Sequence, residues 1–265
     1  MGWAPLLREM VNAVRVSSMP LFGKHKIVGK GASGDLTEEI DRAAELAIIR
    51  VIEKRKISCT LVSEEIGVKE FGRGSSIYLV ADPIDGTTNA VNGVPFFASS
   101  LAISRSSYLN GVVAGVVMDI YKNVIFSAEK GKGAKQNGKT IRPARVVDVE
   151  RAIMGVDLSK IKPKEQLQRL SSLLNIAGHP RHFGANALEL CYVANGLYDA
   201  FVDIRKLLRV TDIAAAYLII KEAGGIILTP EGHELNPSLT PTSQVSFVAA
   251  GNNQLFKKIS ALIKT

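Results

Sequence analysis

Cysteine is nearly missing from this chain. Its 265 residues hold two, Cys59 and Cys191, too few for a disulfide framework or a four-thiolate metal site. Both lie in apolar stretches and read as small buried hydrophobes. Long apolar runs are also lacking: the best, Gly111 to Met118, falls far short of the ~20 residues that span a bilayer. The N-terminus meets Arg8 and Glu9 too early for the apolar core of a signal peptide. Leu6 stands where a myristoylation signal needs Ser or Thr. The expectation is a cytoplasmic protein with no membrane partner. No block of five or six like charges occurs, no His/Cys spacing suits zinc, and no internal repeat is visible.

What is present is an ordinary globular composition, 46% hydrophobic and 22% charged. A chain of this size buries a sizeable core without staples, as one large domain or two small ones. The net charge is +8, from 33 Lys and Arg against 25 Asp and Glu. A positive field suits nucleic acid and an anionic small molecule equally, so charge alone does not choose between them.

The apolar spacing predicts a helix over residues 3–19 and a second one after Thr37, with Thr37 as its N-cap. Short apolar runs at 60–63, 77–81, 96–103, 111–120 and 123–128 read as strands, and Asn137-Gly138 as a tight turn. The polar stretch 142–150 reads as a joint. It divides an α+β N-terminal half, 1–145, from a C-terminal half, 146–265, that alternates as α/β. Helices are expected at 164–176, 185–194 and 212–223, the last closed by Gly224-Gly225.

Gly29-Lys30-Gly31-Ala32-Ser33-Gly34 has the G-x-G-x-x-G spacing of dinucleotide sites, with Glu53 at the distance of a ribose-binding acid. Such a loop needs a buried apolar strand feeding it. His25-Lys26-Ile27-Val28 is short and half charged, so the segment reads as a lysine-bearing loop instead.

The informative segment is Asp82-Pro83-Ile84-Asp85-Gly86-Thr87-Thr88-Asn89, which follows the strand-like Ile77 to Ala81. A solvated turn is one explanation. However, two carboxylates on one rigid corner repel, and Gly86-Thr87-Thr88 resembles a turn into a helix N-terminus, which attracts anions. A cation between the carboxylates reconciles the two features. Ser63-Glu64-Glu65 also ends an apolar run, so Glu64 is either a surface acid or a neighbour of Asp82 at the carboxyl ends of strands. Asp212 begins a helix, where capping alone explains an acid. Taken together the acids form an all-oxygen set that suits Mg²⁺ or Mn²⁺ and, beside an anion cradle, phosphoryl chemistry.

Glu64-Glu65, the Asp82–Asn89 octet, and Asp212-Ile213-Ala214-Ala215-Ala216 with Glu222-Ala223-Gly224-Gly225 resemble the inositol monophosphatase family over nearly the whole chain. Within that family they are similar to an archaeal branch acting on both inositol-1-phosphate and fructose-1,6-bisphosphate. The resemblance implies a five-layered α/β/α/β/α sandwich, a homodimer, and an active site between the two halves. It also implies metal binding by Glu64, Asp82, the Ile84 carbonyl, Asp85 and Asp212. Asp85, Gly86 and Thr87 would hold substrate, the last two through backbone N–H groups. The segment Asp35 to Asp41 matches a further family signature, making Asp41 the partner of the Thr87 hydroxyl and Gly29–Asp35 a mobile loop. Arg181, Asp203 and Arg205 fall at expected substrate contacts. Thr211 departs from the tryptophan usual before the final metal-binding aspartate, and the extra arginines between Asp203 and Asp212 suit a second phosphate.

The expected activity is phosphomonoester hydrolysis of a sugar or polyol phosphate, dependent on Mg²⁺ with Mn²⁺ as a substitute. A metal-activated water would attack directly, without a phospho-enzyme, with Glu64, Asp41 and Thr87 as catalytic groups. Substituting Asp85 or Asp212 by Asn is expected to abolish most turnover and leave the fold intact. A nucleic-acid partner is not expected. Two rivals remain: a phosphatase of the same fold acting on 3′-phosphoadenosine nucleotides or NADP, and a basic RNA- or polymerase-binding protein with a relic site.

Overall fold

The computed structural model describes residues 2–32, 34, 36–161 and 164–264. Ser33 and Asp35, part of the proposed mobile loop and its signature, lie outside the described residues. The chain opens with helix α1 (Trp3–Ser18), whose Leu6, Leu7, Met10, Val11 and Val14 recur at helical spacing and are buried. A two-stranded antiparallel hairpin, β1 (Ile27–Lys30) and β2 (Leu36–Glu38), leads to helix α2 (Glu39–Arg55). The glycine-rich loop thus joins two antiparallel strands, unlike a dinucleotide fold, in which it leads from a strand into a helix.

Thr37 does not cap α2, contrary to the expectation. It belongs to β2, and its hydroxyl donates to Glu65 Oε2 at 2.5 Å. Glu38 takes the N-cap position, and its amide donates to Asp41 Oδ2 at 3.0 Å. The helix start is therefore fixed by the carboxylate of its third residue.

Strands β3 (Cys59–Ser63), β4 (Gly67–Phe71) and β5 (Tyr78–Asp85) precede the one-turn helix α3 (Thr87–Val91). Then come β6 (Ala98–Ser104), β7 (Val112–Asp119), β8 (Val124–Glu129), β9 (Ala134–Gln136) and β10 (Lys139–Thr140). These eight form one sheet in the order β10-β9-β8-β7-β6-β5-β3-β4. It is antiparallel except for β3 against β5, where Ser63 pairs with Ala81. That single parallel pairing brings the residues after Ser63 and after Ala81 to the same end of the sheet. β5 runs past the expected end at Ala81, with an irregularity between Asp82 and Asp85 where Pro83 cannot donate a ladder hydrogen bond.

The rest of the chain supplies β11 (Ile153–Val156), α4 (Lys164–Ile176), β12 (His179–Arg181), α5 (Asn186–Ala194), β13 (Ala200–Arg209), α6 (Val210–Ala223), β14 (Ile226–Leu228), β15 (Gln244–Ala250) and α7 (Asn253–Lys264). Its strands form a mixed sheet ordered β12-β11-β13-β15-β14. α1 and α2 cover the outer face of the large sheet. α5 and α6 fill the space between the sheets, and α4 and α7 cover the outer face of the small one. The layers run α/β/α/β/α. α6 is apolar nearly all round because it is buried on every side. It lies so close to β7 that a Cβ on Gly115 would sit 2.8 Å from the Ala215 carbonyl oxygen. Among the described residues no helix is long and apolar enough to cross a membrane.

Candidate active site

Three elements deliver the acids. Glu64 follows β3, Asp82 lies in β5, and Asp212 is the third residue of α6. Carboxylate oxygens of all three lie within 4.8 Å of one another, though Glu64 and Asp212 are far apart in sequence. Asp82 and Asp212 are buried. Burial first, then the charges of Glu64, Asp212, Asp85 and Asp41, drive the Asp82 carboxyl well above the usual carboxylate range. Asp212 is pushed up to about 7, first by burial and then by Glu64, against the lowering effect of Arg209. Such crowding is costly unless a cation compensates it. The donors are all hard oxygens, which fits Mg²⁺ or Mn²⁺ and disfavours zinc.

Asp212 is not the N-cap that an acid at a helix start is expected to be. The helix begins two residues before the expected start, at Val210, and Arg209 takes the cap position, while Asp212 braces the turn from the third position. Its Oδ2 accepts the Arg209 amide at 3.0 Å and its Oδ1 accepts the Thr211 hydroxyl at 2.9 Å. These two bonds fix the carboxylate and leave it within the acidic trio.

Asp85 stands within electrostatic reach of Asp82 and Asp212. It is anchored differently, because its oxygens accept the first amides of α5, from Asn186 at 2.9 Å and Ala187 at 2.8 Å. These are orphan donors that a helix start must satisfy. Burial nevertheless pushes the Asp85 carboxyl well up, with Asp212 adding to the rise and these amides opposing it.

Gly86 adopts φ 87°, a left-handed conformation that favours glycine. A Cβ there would also meet the Ala185 Cβ and the Gly184 oxygen, each at 3.1 Å. The turn from β5 into α3 therefore packs directly on the segment that opens α5. The Thr87 hydroxyl lies 2.8 Å from Asp41 Oδ1 and 3.1 Å from the Ile84 carbonyl oxygen, and its single proton serves one acceptor at a time. Burial pushes the Asp41 carboxyl up to about 7, although its hydrogen bonds to Thr87 and Glu38 lower it. A cavity of about 350 Å³ opens here, lined by Asp41, Glu64, Glu65, Thr87, Thr88 and Lys160 among others.

The three residues expected at substrate contacts are placed differently. Arg181 is exposed in β12, and its guanidinium donates to the carbonyl of Pro180 at 2.9 Å. Asp203 and Arg205 are buried and bound to each other. Arg205 also grips Asp157 Oδ2 at 2.6 Å and the Ser159 carbonyl at 2.8 Å. The expected second-phosphate contact through Arg205 does not match this arrangement. Its donors are spent on two aspartates and a main-chain oxygen, a geometry that ties β13 to the turn after β11.

Sequence reasoning missed Glu45, quoted Glu65 only as part of a motif, and read Arg209 only as one of the extra arginines suited to a second phosphate. Glu65 accepts the Thr37 hydroxyl and is pushed up to about 7, mainly by burial. Glu45 accepts the Ser63 hydroxyl at 2.5 Å, bracing the turn that carries Glu64. Its signal was an acid on the apolar face of α2. The Arg209 guanidinium pairs with Glu64 Oε1, and no sequence spacing announces that contact.

The inositol monophosphatase family model matches residues 7–264. A protein of Methanothermobacter thermautotrophicus named fructose-1,6-bisphosphatase/inositol-1-monophosphatase is 35% identical over 269 residues, covering 97% of this chain and 95% of its own. A bifunctional NADP phosphatase/NAD kinase of Methanococcus maripaludis is 35% identical over 274 residues, 93% of this chain but 46% of its own. A solved inositol monophosphatase-fructose 1,6 bisphosphatase superposes with a TM-score of 0.87 at 32% identity, covering 99% of this chain and 100% of that one. With the acid trio, the Asp-Pro-Ile-Asp-Gly-Thr turn and the layered fold in place, the chain belongs to the inositol monophosphatase family.

Proposed function

We propose that the chain is a phosphoric monoester hydrolase dependent on Mg²⁺, with Mn²⁺ as a substitute, acting on inositol-1-phosphate and fructose-1,6-bisphosphate. The convergence of Glu64, Asp82 and Asp212 beside the Asp41–Thr87 hydrogen bond carries this reading. Glu64, Asp82, Asp212, Asp85 and the Ile84 carbonyl are the groups that would hold the metal. When bound, the cation supplies a polarised water and neutralises charge on the departing oxygen.

The chain's own groups supply position and proton transfer. The Gly86–Thr87 backbone receives the phosphoryl group at the turn into α3. The Thr87 hydroxyl orients the attacking water and passes a proton to Asp41, whose elevated affinity for protons suits a base working near neutrality. No side chain needs to become phosphorylated. Phosphate monoesters are so slow to hydrolyse unaided that such a site must lower the barrier by about 20 kcal/mol, chiefly through positioning and charge. The working unit is proposed to be a homodimer in the cytoplasm.

Phosphate release from a panel of sugar, inositol and nucleotide phosphates, with Mg²⁺ and with EDTA, tests the reading. Turnover of inositol-1-phosphate and fructose-1,6-bisphosphate that EDTA abolishes is the expected result. Preference for NADP or 3′-phosphoadenosine nucleotides would favour the second reading, which the resemblance to the Methanococcus protein supports. No metal-dependent turnover, together with RNA binding of steep salt dependence, would favour a relic site.

A further inference from the structure

Glu64 is the least buried of the three converging acids, and it is the one that meets an arginine. Arg209 is the residue from which α6 begins. Its amide donates to Asp212 Oδ2 at 3.0 Å, while its guanidinium reaches Glu64 Oε1. One residue thus touches two of the three acids, by main chain on one side and side chain on the other. The paired side chains of Arg209 and Glu64 retain only 18% and 21% of their exposure. A charge-assisted contact at this depth is screened less than a surface ion pair.

We infer that Arg209 competes with the divalent cation for Glu64 and so sets how tightly this site takes metal. The inference rests on the proposed metal site. A carboxylate oxygen bonded to a guanidinium has a lone pair committed, and a second positive charge a few ångströms away is repelled by the first. For Glu64 to offer Oε1 to a cation beside Asp82 and Asp212, the guanidinium must move off that oxygen. A cation held by Oε2 instead still meets the repulsion of the paired guanidinium. The main-chain contact to Asp212 need not break, so the side chain pivots about a fixed backbone. Arg209 therefore has two opposite effects. It offsets repulsion among the acids, and it makes the cation displace a resident positive charge.

Mn²⁺ titration of the full chain, followed by electron paramagnetic resonance of the free ion, measures this without any substrate. Arg209→Met, which keeps the length of the stem, is expected to bind Mn²⁺ roughly tenfold more tightly than the parent. Arg209→Lys is expected to fall between them, and it carries the test if thermal melting shows the methionine variant unfolded. Removing any nearby positive charge raises cation affinity somewhat, so Glu64→Gln supplies the control. In that background Arg209→Met should change affinity by less than about twofold, since the contested carboxylate is gone. An equal gain in both backgrounds, or no gain with Glu64 present, overturns the inference while leaving the metal site standing. If neither parent nor variants take up Mn²⁺, the metal site and the inference fall together.

Discussion

Asp85 and Asn186, 101 positions apart, are joined by a hydrogen bond of 2.9 Å in which the Asn186 amide donates to the carboxylate. The next amide, from Ala187, donates to the other oxygen. One acidic side chain thus serves the proposed metal site and stitches the large sheet to a helix of the inner layer.

Asp85→Asn is therefore expected to do more than stop turnover. The carboxamide presents an NH₂ group to one helix amide, leaving an unsatisfied donor at a cost of about 1–3 kcal/mol. Urea denaturation should show a lower midpoint for Asp85→Asn. An unchanged midpoint with lost activity would restore the sequence expectation of an intact fold.

The Asp41–Thr87 pair should matter for rate and little for metal. Asp41→Asn is expected to lower kcat by about 10²–10⁴-fold, with Mn²⁺ affinity close to the parent's. Thr87→Val should lose a similar factor, and Thr87→Ser should keep most of the rate because the hydroxyl remains. Steady-state kinetics beside metal titration separate these outcomes. A rapid Thr87→Val enzyme would remove the hydroxyl from the mechanism.

Asp41, Glu65 and Asp212 are each pushed up to about 7, foremost by burial. In the unfolded chain they titrate near 4. Below that pH both states hold the protons and folding carries no penalty. Between about 4 and 7 the unfolded chain gives up protons that the folded one retains, so stability falls as pH rises, and the loss is complete above 7. In EDTA these acids should make Tm lower at pH 8 than at pH 5. Added Mn²⁺, which takes the deprotonated carboxylates, should raise Tm more at pH 8 than at pH 5. A Mn²⁺ increment independent of pH would contradict this.

Arg205→Met distinguishes a structural role from substrate contact. Its removal leaves Asp157 and Asp203 buried without their counter-charge, at a cost of about 3–5 kcal/mol. The midpoint of chemical denaturation should drop accordingly. Unchanged stability with a raised KM for fructose-1,6-bisphosphate alone would return Arg205 to the second phosphate.

The sequence disclosed most where the chemistry is local. The Asp82–Thr87 turn shows its acids, its rigid proline and its glycine within six residues, and the five layers follow from the family resemblance. Short polar strands such as β1, β4 and β12 carried no alternation to detect, because much of each is exposed. Thr37 was misjudged as a cap because its true partner, Glu65, comes from a different strand turn. The Glu64–Arg209 and Asp157–Arg205 pairs were illegible for the same reason. Each depends on which loops the two sheets bring together, and a charged residue alone does not say which opposite charge it will meet.

The trio's spread along the polypeptide has a consequence during synthesis. Glu64 and Asp82 leave the ribosome well before Asp212, so an unfinished chain has two corners of the cage and not the third. Any product ending short of α6 should be inert toward phosphate esters, whatever else of it has folded. Activity would therefore report a chain synthesised at least through the first turn of α6.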